Sequence, residues 1–158
     1  MMIHYAPLEA GSRTNTPRMI VVHAMGEFLL DPHPIHASDF LEKLGLSAHK
    51  LISPNGDVYV CREDDQGAYH ARGYNTDSLG VEVLVQGHHD YGSFIEKIKT
   101  DWVTDEQWES TITVVRYWMQ EYNIPLHKVV RHSDISPGRK VDPGVGFKWE
   151  KFLEALVA

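Results

Sequence analysis

The run Met19-Ile20-Val21-Val22-His23-Ala24 is short, rich in β-branched side chains and apolar at nearly every position. A pattern of this kind suits a buried strand better than a helix, and it demands covering layers around a sheet. Ser78-Leu79-Gly80-Val81-Glu82-Val83-Leu84-Val85 repeats it, with one acid in the middle. Two further strand-like runs, Ser47 to Ser53 and Asp57 to Cys61, are joined by Pro54-Asn55-Gly56, and Asn-Gly between such runs predicts a hairpin. Phe40, Leu41 and Leu44 recur at helical spacing before Gly45, so a short helix is expected within His36 to Leu44. Thr104-Asp105-Glu106-Gln107 has the form of a capping box, and Trp108, Ile112, Val115, Met119 and Tyr122 then fall on one stripe of the longest helix. Lys128 to Arg131 reads as a last strand, His132 to Gly146 as a loop, and Phe147 to Val157 as a closing helix. Strands interleaved with helices predict an α/β domain with a central mixed β-sheet flanked by helices.

A chain of 158 residues without a linker or an internal repeat is expected to form a single domain, residues 1–158. The net charge of −7, with acids spread along the chain, offers no basic stripe for a nucleic-acid backbone, so no nucleic-acid partner is expected. Cys61 is the lone cysteine and cannot form an internal disulfide. The opening Met1-Met2-Ile3-His4-Tyr5-Ala6-Pro7 lacks the charged start and apolar run of a secretory signal, and no stretch approaches the ~18 apolar residues of a membrane span. The expectation is a soluble, cytoplasmic monomer with no membrane partner. Ten histidines exceed what packing in a chain this long needs, which makes some of them candidate ligands.

His23 and His132 each stand where a β-branched run gives way to a loop, and neighbouring strands would bring them together. The loop after His132 returns a carboxylate, Asp142. Two imidazoles and one carboxylate form a three-ligand set that zinc accepts while keeping a position for water, whose pKa it lowers to about 7. A strand histidine also serves as an ordinary core residue, and spacing alone does not separate the two readings. Glu82, flanked by Val81, Val83 and Leu84, is either a costly buried acid placed as a general base or a side chain on a half-exposed strand pointing to solvent. Lys140 is carried by the same loop as Asp142 and reads either as an oxyanion-stabilising ammonium or as a solvated loop lysine. His70, beside Tyr69 and Tyr74 in a polar loop, is a candidate for lining a cleft.

With these residues in view, the chain resembles the zinc amidase family that includes bacteriophage T7 lysozyme, the bacterial AmpD amidases and the catalytic peptidoglycan recognition proteins. Four segments carry the resemblance: Ile20 to His23; Ser47 to Ile52 running into Asn55 to Tyr59; Tyr69-His70-Ala71 with Asn75 and Ser78 to Glu82; and His132 to Gly144. It implies N-acetylmuramoyl-L-alanine amidase activity on a peptidoglycan fragment or murein stem peptide, and a mixed sheet with a zinc cleft on one side. Position by position, it implies one catalytic zinc held by His23, His132 and Asp142, Glu82 as the acid that activates water, and Lys140 at the oxyanion. His70 and Asn75 fall where relatives line the groove, and Arg72 is the candidate for a stem-peptide carboxylate. The last loop is the long AmpD-type version ending in Asp142, where T7-type relatives carry cysteine. Ala48 stands where those relatives carry a catalytic tyrosine, which leaves the base function to Glu82. Tyr91 to Trp102 is longer than expected before the main helix and reads as a rim element.

Two other readings compete. A non-catalytic peptidoglycan-binding module shares the fold, but such proteins typically lose a zinc ligand that this chain keeps. A thiol hydrolase would use Cys61, which reads better as a small buried hydrophobe. His88-His89-Asp90 is read as an exposed turn without function, His49 as a residue packed or hydrogen-bonded inside the sheet, and His4, His33, His36 and His127 stay unassigned. Substrate size, intact murein or soluble anhydro-muropeptide, is open at this level; so is the choice between a cytoplasmic recycling enzyme and a phage or prophage lysin that reaches the cell wall with help.

Overall fold

The computed structural model describes residues Met1–Ala158. Its elements run β1 (Ile3–Tyr5), β2 (Met19–Leu30), β3 (Pro34–His36), α1 (Ala37–Leu44), β4 (Lys50–Ile52), β5 (Val58–Val60), β6 (Ser78–His89), α2 (Tyr91–Lys97), α3 (Asp105–Glu121), a 3-10 turn (Leu126–Lys128), β7 (Val129–Arg131), α4 (His132–Ile135) and α5 (Trp149–Leu156). The strands form one mixed sheet in the order β1-β5-β4-β6-β2-β3, with β7 also paired to β2. Strands β2 and β6 are its spine, parallel to each other from Met19↔Ser78 to Leu29↔His89 with a register shift between Gly26 and Phe28. The other edge of β2 is divided: β7 runs parallel beside Ile20 to Val22, and β3 folds back antiparallel on Phe28 to Leu30.

Because side chains alternate along a strand, each spine strand serves two layers. Ile20, Val22 and Ala24 of β2 and Val81, Val83 and Val85 of β6 enter the main core beneath α3 and α5, with Val115, Trp118 and Phe152 fully buried there. The opposite face carries smaller clusters, one built around Leu41, Ala48, Leu51, Cys61 and Leu84, the other around Met19, Val21 and Ala71. His23 and Glu82 alternate with these residues and emerge between the two clusters. The face that carries chemistry is therefore set by strand parity alone.

Local signals account for the ends of the helices. Thr104 and Gln107 form the reciprocal capping box of α3, a motif worth on the order of 0.5–2 kcal/mol. Helix α1 starts at His36, whose ring accepts from the Ser38 amide, and stops at Gly45 in the left-handed conformation (φ 68°). The expected hairpin is present as the antiparallel pair β4–β5.

Several expectations require correction. The spine strands continue six and four residues beyond Ala24 and Val85, so His23 lies within β2 and not near its end. The extensions contain Gly26, Glu27, Gln86 and Gly87, which break the apolar run while the backbone ladder continues. His88 and His89 close β6 instead of forming an exposed turn; His89 is buried against the Gln86 carbonyl and Ser93, and Asp90 caps α2. The loop after β7 begins with the short helix α4. Strands β1 and β3 were not expected. No helix is long and apolar enough to cross a membrane.

Candidate metal centre and active-site cavity

Two parts of the chain distant in sequence meet on the chemical face of the sheet. His23 comes from β2, His132 opens α4 directly after β7, and Asp142 sits on the loop that follows. All three are buried, at 2%, 5% and 8% exposure. Their donor atoms lie within 4.8 Å of one another. His23 Nδ1 is 2.9 Å from His132 Nδ1 and 3.5 Å from Asp142 Oδ2, and His132 Nδ1 is 3.3 Å from Asp142 Oδ1. Lone pairs converging this closely repel unless a cation or a proton lies among them, and a nitrogen, nitrogen, oxygen set matches the donors of a catalytic zinc site. The three residues thus form a candidate metal site whose chemistry fits zinc.

The loop is tied to the sheet by Asp142 itself, which accepts from the Ala24 amide through Oδ2 (3.1 Å), while its carbonyl accepts from the Ser133 amide (3.1 Å). Burial raises the Asp142 carboxyl, but hydrogen bonds to His132 and His23 outweigh it and hold the group well below the usual carboxylate range. Burial also lowers the basicity of His23, against the opposing pull of Asp142.

Glu82 pairs directly with His23 in the parallel register, so both side chains leave the same face. It is buried, and Oε1 has no hydrogen-bond partner. The solvent-pointing alternative is thereby excluded. Burial and the Asp142 charge push its carboxyl well above the ordinary value, and Lys140 pulls in the opposite direction. Lys140 is exposed and lines the same cavity.

That cavity has a volume of about 810 Å³, within the range of small-molecule sites. The three donors and Glu82 line it together with Arg72, Asn75 and His70. Arg72 is exposed. Asn75 holds its own loop, its Oδ1 accepting from the His70 and Ala71 amides at 3.1 and 2.8 Å. Both ring nitrogens of His70 have partners inside the protein, His23 Nε2 and Ser78 Oγ, each at 2.8 Å. The stretch expected at the rim, Tyr91 to Trp102, begins as helix α2 (Tyr91–Lys97), and its Phe94 and Ile95 line the cavity, as do Phe40 and Leu44 of α1.

His49 behaves as read from the sequence, its Nδ1 accepting from the Gly80 amide (3.0 Å) and its Nε2 donating to the Gln66 carbonyl (2.7 Å). Cys61 is buried, which pushes its thiol up to about 12 and removes it as a nucleophile. His4 bonds Asp57 and His36 caps α1, whereas His33 and His127 are exposed. Sequence reasoning missed the Ser78 partner of His70; Gly80 inside a buried strand was the available signal, since such glycines mark close approach by another group.

A mixed α/β sheet with two imidazoles and a carboxylate at the base of an open cavity defines a class, a single-domain fold built around a three-donor candidate metal centre. Comparison with known proteins narrows it. Residues 13–145 match the family model described as N-acetylmuramoyl-L-alanine amidase. The 1,6-anhydro-N-acetylmuramyl-L-alanine amidase AmpD of Enterobacter cloacae is 33% identical over 162 residues, covering 89% of this chain and 81% of that relative. AmpD of Escherichia coli is 32% identical, covering 87% and 81%. The structure of N-acetylmuramoyl-L-alanine amidase LysC from Clostridium intestinale superposes with a TM-score of 0.73 at 23% identity over 100% of this chain and 99% of the other, a likeness of fold. The chain belongs to the N-acetylmuramoyl-L-alanine amidase family.

Proposed function

We propose that this chain is a zinc-dependent amidase that hydrolyses the bond between the lactyl group of N-acetylmuramic or anhydro-muramic acid and L-alanine. The observation that carries the reading is the convergence of His23, His132 and Asp142 beside Glu82 at the base of one cavity. Zinc held by those three residues would acidify a water molecule and polarise the scissile carbonyl. Glu82 takes the proton of the attacking water and returns it to the leaving nitrogen as the C–N bond breaks. A carboxyl pushed above its ordinary value suits that exchange, because it must first accept the proton and then hold it. Lys140 lines the same cavity, and its ammonium would stabilise the carbonyl oxygen as that atom gains negative charge. Arg72 and Asn75 line the same cavity and would contact the stem peptide. The relatives named for 1,6-anhydro-N-acetylmuramyl-L-alanine favour an anhydro-muropeptide as the substrate.

The test is mass spectrometry of products from soluble anhydro-muropeptides and from intact murein, with protein as purified, stripped by chelator, and restored with zinc. Release of free stem peptide that is lost on stripping and regained with zinc supports the reading. Cleavage at another bond, or activity that survives complete demetallation, overturns it.

A further inference from the structure

His70 sits behind the candidate metal site, and its hydrogen bonds have a direction that can be followed from one fixed end. Ser78 is completely buried, and its Oγ lies 2.6 Å from the Tyr74 carbonyl oxygen. A carbonyl carries no hydrogen, so the serine hydroxyl donates to it and its oxygen is left to accept. His70 Nε2, 2.8 Å from that oxygen, must then carry a hydrogen. The other rings packed on His70 are those of His23 and His49, and no carboxylate pairs with it, so a charged ring would lack a counter-ion and the packing suits the neutral ring with its single hydrogen on Nε2. Its Nδ1 is therefore an acceptor. His23 Nε2, 2.8 Å away, donates to it. In the neutral His23 ring this leaves Nδ1 with its lone pair, and Nδ1 is the atom that faces His132 and Asp142.

The place for the ring is built into the sheet. A Cβ at Gly80 would lie 2.4 Å from His70 Nδ1, so only glycine at that position lets the imidazole rest against β6. Asn75 holds the adjacent backbone through the two amides of His70 and Ala71.

We infer that Ser78 and His70 form a relay that locks His23 in the tautomer whose Nδ1 presents its lone pair to a metal ion, which makes His70 a positioning residue and not a substrate contact. Outer partners of this kind fix the ring orientation and tautomer of a metal-binding histidine, and their loss weakens metal binding about 10- to 100-fold. The inference rests on the zinc reading above, but its first test does not require zinc.

Long-range 1H–15N correlation spectra of the metal-free protein, labelled at histidine nitrogen, report which nitrogen of each ring carries the hydrogen. His23 and His70 are both expected as Nε2–H tautomers. In Ser78→Ala the anchor is lost, and His23 is expected to show a mixture of the two forms. Zinc affinity, measured by competition with a chromophoric chelator, should fall about 10- to 100-fold in Ser78→Ala and in His70→Phe, with far-ultraviolet circular dichroism checking that each variant is folded. An Nδ1–H tautomer at His23 in the wild-type protein overturns the relay. So does zinc affinity within twofold of wild type in the variants. If the wild-type protein takes up no zinc, the metal reading fails while the spectra still decide the relay.

Discussion

Glu82 stands directly opposite His23 across the β2–β6 ladder, and the two share the face of the sheet that opens into the cavity. A buried acid with an unpartnered oxygen beside a buried imidazole is costly as architecture and useful as chemistry. Replacing Glu82 by glutamine keeps the shape and removes the base. Turnover is expected to fall by ~10²-fold or more, the scale of a general base, while bound zinc stays unchanged. Initial rates and metal content measured on the same preparation check both halves.

Gly80→Ala places a methyl group against the His70 ring, 2.4 Å from Nδ1 at the ideal position. Because the obstacle is a ring held at both ends, the ring must be displaced or the strand must shift. Overpacking of this kind costs about 1–3 kcal/mol. Urea unfolding of the metal-free variant should show a loss of that order.

The spine of the fold was legible in the sequence, and His23 and Glu82 with it, whereas His132 at the start of α4 and Asp142 on the following loop stood out through the family resemblance. Apolar runs such as Met19 to Ala24 stand out only where both faces of a strand are buried, and a histidine or acid within such a run is conspicuous. The same logic hid what the runs do not contain. Strands β1 and β3 are three-residue edge elements held by backbone pairing, with no apolar period to mark them. The ends of β2 and β6 lost their signal at Gly26 and Gly87, although the ladder continues beyond them. The place of His70 was hidden because it sits on a loop without periodicity, and its partners are His23 inside β2 and Ser78, the first residue of β6.

His49 should make stability depend on acid. Burial lowers its pKa from 6.5 to about 4 in the folded protein. Between those values the unfolded chain binds the proton more readily, so this contribution is fully present above pH 6.5 and is lost as pH falls toward 4. The shift corresponds to about 3 kcal/mol. Denaturant unfolding from pH 7 to pH 4.5 should show a smaller loss of stability for His49→Gln than for wild type; equal losses would remove His49 from this role.

Cys61 packs with Leu8, Leu51 and Leu84, and burial holds its thiol protonated. Cys61→Ala should therefore retain turnover. The native thiol should react slowly with iodoacetamide at pH 8 and rapidly once the chain is unfolded. A large loss of turnover in Cys61→Ala, with folding intact, would revive the thiol reading.

The central claim is that His23, His132 and Asp142 hold one zinc ion. Zinc K-edge X-ray absorption on stoichiometrically loaded protein tests it most directly, with Asp142→Ala as the comparison. The expected spectrum shows two imidazoles and light oxygen donors without sulfur, from one zinc per chain, and Asp142→Ala should retain little metal. A sulfur donor, three or more imidazoles, or an undiminished site in Asp142→Ala would contradict the account.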